Sequence, residues 1–161
     1  MRSLFDLFRH LPRFSDGRIN FSNSPEAPVT TIFLCCEGKV LLLKRSEQVG
    51  SYKGKWNAVA GYLDEEVPLR QKVLAEVEEE VGIASGSIGK ISFGRPYRLK
   101  DKEVGRVWLV HPVLAVLKEQ PKVILDWEHT DFRWLEPEAL FSLDHVPNLE
   151  KSWDRIKDFL P

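Results

Sequence analysis

Two stretches of this 161-residue chain are apolar on both of the faces a strand presents. Val40, Leu41, Leu42 and Leu43 run without a polar break. Between Val104 and Leu117 one alternating set is Val107, Leu109, Val113 and Leu117, and the other is Trp108, Val110, Leu114 and Val116. Successive strand side chains point to opposite faces, so a sheet covered on one side would leave one set in water. These strands demand burial on both faces. Val29 to Cys36 is equally apolar and β-branched, and Glu37-Gly38 is a hairpin signal joining it to the return strand Lys39 to Lys44.

Further strands are expected over Trp56–Ala60, Ile91–Leu99, Val123–Leu125 and Asp131–Leu135. Pro112 cannot donate to a ladder, so a bulge or an edge is expected there. His111 beside it reads as structural, and no second His or Cys is spaced to form a zinc site with it. Pro137–Leu143 fits a short helix, and Pro147–Leu160 a last helix with Leu149, Trp153, Ile156 and Leu160 on one face. In MRSLFDLFRHLPRF the residues Leu4, Phe5, Phe8 and Leu11 recur at helical spacing between Arg2, Arg9 and Arg13. Residues 1–27 therefore read as an N-terminal amphipathic helix and a connector.

The chemistry concentrates in Ala60 to Ile83, AGYLDEEVPLRQKVLAEVEEEVGI. Helical spacing from Pro68 to Val81 places Glu76, Glu79 and Glu80 within about a third of the circumference, beside the stripe of Val73, Leu74, Val77 and Val81. Carboxylates at i,i+4 repel one another, and these lie far from the helix N-terminus, where the dipole would favour them. A hard divalent cation, Mg²⁺ or Mn²⁺, would cancel that repulsion. A solvated glutamate-rich face ending at the glycine cap Gly82 fits the same residues. Upstream, the loop Arg45 to Lys55 carries Arg45, Lys53 and Lys55, cations suited to a substrate with phosphates. Arg45 is the preferred ligand, because a guanidinium grips phosphate in a bidentate way.

From Gly61 onward the segment resembles the signature of the Nudix hydrolases. That signature is a glycine, five residues, Glu, seven residues, Arg-Glu, an aliphatic, any residue, Glu-Glu, any residue, Gly and an aliphatic. Gly61, Glu76, Val77, Glu79, Glu80, Gly82 and Ile83 fall on it in register, whereas Val67 replaces the first Glu and Ala75 the Arg. The approach LCCEGKVLLLKRS and SYKGKWNAVAGYLDE, and the later DFRWLEPEAL, also resemble the family, so residues 28–161 form a Nudix-like domain. The resemblance implies an α/β fold: an α/β/α sandwich around a mixed, curved sheet.

It also implies a metal-dependent hydrolase, a pyrophosphatase that cleaves a diphosphate linkage in a nucleotide or a related small phosphorylated metabolite. Carried over by position, Glu76, Glu79, Glu80 and the Ala60 carbonyl are ligands of Mg²⁺ or Mn²⁺, with Gly61 permitting the tight turn that points the carbonyl inward. The proton of the attacking water goes to a box glutamate, Glu79 or Glu80, or to a later one, for which Glu128 is the candidate. The family's Arg pairs with box glutamates and holds them, so Ala75 and Val67 together imply weakened metal binding, with Lys72 restoring part of the charge. The alternative is a Nudix-fold module that binds a ligand or a protein with little or no hydrolysis. Many relatives dimerise, which makes a homodimer one expected assembly.

Composition bounds the setting. The net charge of −1 gives no field to steer long nucleic acid or an anionic membrane. No apolar run reaches the roughly 18 residues of a membrane span. The only cysteines, Cys35 and Cys36, sit side by side in an apolar run, so reduced core residues and a cytoplasmic setting are expected.

Overall fold

The computed structural model describes residues 3–161. Arg2, part of the expected N-terminal helix, lies outside the described residues. One sheet organises the fold, with strands β1 (Glu26–Cys36), β2 (Lys39–Arg45), β3 (Trp56–Asn57), β4 (Val59–Tyr62), β5 (Ile88–Phe93), β6 (Tyr97–Asp101), β7 (Arg106–Leu117) and β8 (His129–Leu135). Helix α1 (Leu69–Val81) and the short helix α2 (Leu149–Asp154) complete the regular elements.

The sheet is mixed. β1 and β7 run parallel at its centre in unbroken register from Glu26↔Val107 to Cys35↔Val116. The outer edge of each central strand is shared by two partners. β1 pairs with β4 through Val29–Ile32 and with β2 through Cys35 and Cys36. β7 pairs with β6 through Arg106–Val110 and with β5 through Val113–Leu117. The sheet thus divides into two halves.

One half is covered on both sides, as the doubly apolar strands require. On one side Ile32, Leu34, Leu41, Leu43, Val113 and Ala115 pack with Val73, Val77 and Val81 of α1. On the other, Phe33, Cys35, Val40, Leu42 and Leu114 pack with Leu140, Leu149, Trp153 and Ile156. Neighbours in sequence point to opposite layers throughout, as period-two alternation dictates. Both cysteines are buried and unpaired. Among the described residues no helix is long and apolar enough to cross a membrane.

Several elements depart from the sequence pattern. Ile91–Leu99 is two strands, because the chain breaks at Gly94-Arg95-Pro96. That break also accommodates Pro112, which forms neither a bulge nor an edge. The Pro112 carbonyl accepts from the Gly94 N–H at 2.9 Å, so its ring nitrogen faces the gap between β5 and β6. Trp56–Ala60 is likewise split, into β3 and β4. Val123–Leu125 is not a strand: the Ile124 N–H, and beyond it the Asp126 N–H, bond to the Val81 and Glu80 carbonyls at the end of α1, groups that a helix end leaves orphaned. The last helix is α2 followed by a 3₁₀ turn at Lys157–Phe159, and Pro137–Ser142 is also 3₁₀.

The expected N-terminal helix is a single 3₁₀ turn, Leu4–Leu7, capped by the Asp6 carboxylate on the Ser3 N–H at 2.8 Å. Pro12 disfavours helix in the residue before it, and a one- or two-turn helix carries the full nucleation cost. The segment doubles back at Arg13↔Ile19 and packs Phe8, Ile19 and Phe21 with Ala27, Trp108 and Leu109. The described N-terminal residues thus dock on the sheet. Phe8 stands edge-on to Phe21 with ring centroids 5.2 Å apart. Phe8→Ala is expected to lower unfolding stability by about 3 kcal/mol in urea titration. A change under about 0.5 kcal/mol, the range of ordinary surface substitutions, would contradict docking of the N-terminal segment.

Candidate active site

α1 presses its valine stripe onto the sheet, and Glu76 and Glu80 lie beside that stripe, so both are buried while Glu79 stays exposed. Their neighbour is β4. A Cβ at Gly61 would meet the Glu76 carboxyl oxygens at 2.5 and 2.6 Å, so any side chain there must push the end of Glu76 aside. The requirement is this close approach and not the tight turn expected from the sequence: Gly61 lies within β4 and has no positive φ. One residue earlier, the Ala60 N–H donates to Glu80 Oε2 at 3.1 Å. The N–H and C=O of one strand residue share an edge, so the Ala60 carbonyl faces the same side as these carboxylates.

The loop before β8 brings a second group. Its backbone is tied to α1 by the Ile124 N–H on the Val81 carbonyl (2.9 Å) and the Asp126 N–H on the Glu80 carbonyl (3.2 Å). The Ser46 N–H holds the Glu128 carbonyl at 2.7 Å. Asp126 Oδ1 accepts from the Glu128 N–H at 3.2 Å and lies 2.9 Å from His129 Nδ1. His129 Nε2 is 3.7 Å from Glu80 Oε1, and ligand atoms of Glu80, Glu128 and His129 lie within 4.8 Å of one another. The sequence reading missed Asp126 and His129. Their spacing around Glu128 was the available signal, but only the fold aims them at α1.

Lys72, one turn before Glu76, is buried among acids. Its Nζ lies 2.8 Å from Asp64, 3.1 Å from Glu65 and 3.2 Å from Glu76.

Glu76, Glu79 and Glu128 line a cavity of about 710 Å³, and Arg45 forms part of its wall. Arg45 donates through Nε (3.0 Å) and Nη2 (2.9 Å) to the Ser51 carbonyl, which fixes the guanidinium plane. Lys53 and Lys55 are not brought to this wall. Lys53 is exposed, and Lys55 is held by Asp144 at 2.8 Å. Tyr52, Tyr97, Trp108 and Trp127 add aromatic surface to the cavity. Trp127 is 63% exposed, whereas Trp56 and Trp153 are buried in the core.

Burial dominates the electrostatics. It pushes the Glu76 carboxyl up to about 7, against the lowering effect of the Lys72 ammonium. Glu80 is raised well above the usual carboxylate range, by burial first and then by Glu76, Glu128 and Asp126. Glu128 is raised by burial and Asp126, with Arg45 opposing. Burial lowers His129, and Asp126 opposes it. A set of buried oxygen donors whose charges are mutually unfavourable suits a hard divalent cation.

Two outcomes are expected from this geometry. Gly61→Ala should displace Glu76 and lower stability by about 1–3 kcal/mol, as overpacking does; unchanged urea unfolding would contradict the close approach. The second concerns pH in metal-free protein. Between pH 4.5, the ordinary Glu value, and about 7, folded Glu76 keeps a proton that the unfolded chain has released. Raising pH through that window therefore destabilises the fold, by on the order of 3 kcal/mol in all. Glu76→Gln should remove this contribution, and parallel stability–pH curves for the two proteins would contradict it.

Known proteins share this architecture. The family model for the NUDIX domain matches residues 25–157. Nucleoside triphosphatase NudI of Escherichia coli O139:H28 is 23% identical over 113 residues, 67% of this chain and 80% of that protein. The NUDIX domain of Shewanella oneidensis NrtR, solved with ADP ribose, aligns at TM-score 0.71 with 14% identity, covering 99% of this chain and 100% of that one. A C. elegans Ap4A hydrolase binary complex aligns at TM-score 0.64 with 22% identity, covering 83% and 96%. The solved structures establish the shared fold, and the domain match over most of the chain establishes its kinship: this protein belongs to the Nudix hydrolase family.

Proposed function

We propose that this protein hydrolyses a diphosphate linkage in a nucleotide or a related small phosphorylated metabolite, with Mg²⁺ or Mn²⁺ as cofactor. The observation that carries the reading is the buried carboxylate group of α1 packed against Gly61 and opening onto a cavity walled by Arg45. Nudix hydrolases generally use divalent metal ions, and the oxygen donors here fit one. Glu76, Glu79, Glu80 and the Ala60 carbonyl would hold it. A divalent ion there supplies Lewis acidity toward the phosphate oxygens.

The chain's own residues do the rest. Arg45 binds phosphate from the cavity wall, its plane already set by the Ser51 carbonyl. Glu128 takes a proton from the attacking water as the new O–P bond forms and the bridging P–O bond breaks. Its raised pKa brings its basicity closer to neutral pH. Glu79 and Glu80 are the box alternatives for that proton. Trp127 and the tyrosines offer stacking surface for a base. The names of the similar proteins point to nucleotides as well: a nucleoside triphosphatase, an Ap4A hydrolase and an ADP ribose complex.

The test is a panel of nucleoside triphosphates, nucleoside diphosphate sugars, dinucleotides and coenzymes, run with Mg²⁺ and separately with Mn²⁺. Metal-dependent phosphate or nucleoside monophosphate release is expected. It should fall about 10²–10⁴-fold in Glu128→Gln and vanish in Glu80→Gln. Ligand-induced stabilisation without turnover above the Glu80→Gln blank would replace the hydrolase reading with that of a binding module, the reading that Ala75 and Val67 favour.

A further inference from the structure

We propose that Lys72 is the positioning residue of this site, and that its ammonium does the work of the arginine and loop glutamate that the Nudix box places at positions 75 and 67. The inference rests on the reading of Glu76, Glu79 and Glu80 as metal ligands. In the box pattern an arginine one residue before the first helix glutamate pairs with the carboxylates and holds them. Ala75 has no charge to offer, and Val67 removes the glutamate that would orient an arginine.

The structure supplies both functions from elsewhere. Lys72 enters the acidic group from one helical turn before Glu76, and its side chain is only 5% exposed. An ammonium has three donors, and three carboxylates surround this one: Glu76 on α1, and Asp64 and Glu65 on the loop that follows β4. The lysine therefore clamps the loop to the helix at the point where Gly61 and Glu76 meet. Asp64 is itself buttressed. Its carbonyl accepts from the Ile19 N–H at 2.8 Å, and its carboxylate lies 4.0 Å from Arg18 Nη1. A lysine is usually a mobile point charge; here three acids and the surrounding core fix it.

Charge alone and positioning predict opposite results. A cation beside a metal site repels the metal, so removing Lys72 would tighten metal binding if charge were its only contribution. If Lys72 instead holds Glu76 in place, its removal weakens metal binding despite the gain in negative charge. A merely structural lysine would change stability and leave affinity where it was.

The experiment is a four-protein cycle on the full chain: wild type, Lys72→Met, the double substitution Val67→Glu/Ala75→Arg, and all three changes together. Mn²⁺ affinity is read by titration calorimetry and by the electron paramagnetic resonance of free Mn²⁺, so neither readout depends on turnover. Lys72→Met is expected to bind Mn²⁺ about 10–100-fold more weakly, the usual effect of losing support behind a ligand. The double substitution Val67→Glu/Ala75→Arg, which restores the box pattern, should recover at least about tenfold in the Lys72→Met background. In wild type it should change affinity by less than about threefold, because there the role is already filled. Unchanged or tighter binding by Lys72→Met, or equal gains in both backgrounds, would overturn the proposal. If Lys72→Met does not fold, the double substitution in wild type decides: a gain below that threefold limit supports the proposal and a larger one overturns it. A wild-type protein that binds no Mn²⁺ overturns the metal-site reading and this proposal together. Normal Mn²⁺ binding without turnover overturns only the hydrolase reading.

Discussion

The burial of Glu76 against Gly61 is the constraint around which the site is built. A carboxylate can enter a protein interior only if something offsets its lost hydration. Here the offset comes from the Lys72 ammonium, and it is incomplete, because Glu76 still resists ionisation below about pH 7. Glu80 lies deeper still, with one hydrogen bond from the Ala60 N–H to share with the negative groups around it. Such an arrangement is poor for stability, where apolar residues of similar size would serve as well or better. It is suited to holding a hard divalent cation.

The fold explains how the constraint is met. Because β1 is parallel to β7 and shares its other edge between β2 and β4, the sheet divides. The half holding β2, β5 and the ends of β1 and β7 forms the two-sided core that anchors α1 and α2. The half holding β4, β6 and the beginnings of β1 and β7 contributes walls to the cavity. α1 is seated in the first half and faces β4 of the second, so its glutamates stand where core meets cavity. The loop carrying Glu128 is tied to the last carbonyls of the same helix, so Glu80 and Glu128 are positioned by one element.

Much of this was legible in the sequence. The doubly apolar runs, the Glu37-Gly38 hairpin and the helix ending at Gly82 follow from periodicity and local backbone preference, and the structure has them, with Gly82 at φ 69°. What failed depended on distant neighbours. The β5–β6 segment breaks at Gly94-Arg95-Pro96, and a side chain at Gly94 would meet the Arg155 carbonyl at 2.8 Å, a contact no local pattern records. Val123–Leu125 has strand-like residues, yet its Ile124 N–H pairs with a helix carbonyl, that of Val81. Glu76, Glu79 and Glu80 could be grouped from spacing alone. Asp126 and His129 could not, and nor could the pairing of the Lys55 ammonium with Asp144, 89 positions away, in place of a position on the cavity wall. Lys72 was visible at i,i+4 from Glu76, but its burial among three acids was not.

The proposed function turns on a divalent cation completing this buried acidic site. The most direct measurement is a crystal structure of the wild-type protein with Mn²⁺, with the ion located by its anomalous scattering. The expected result is a peak coordinated by carboxylate oxygens of α1, beside the Ala60 carbonyl, with Lys72 still bound to Asp64 and Glu76. No peak at saturating Mn²⁺, or an ion seated on Asp64 and Glu65 with Lys72 expelled, would contradict it.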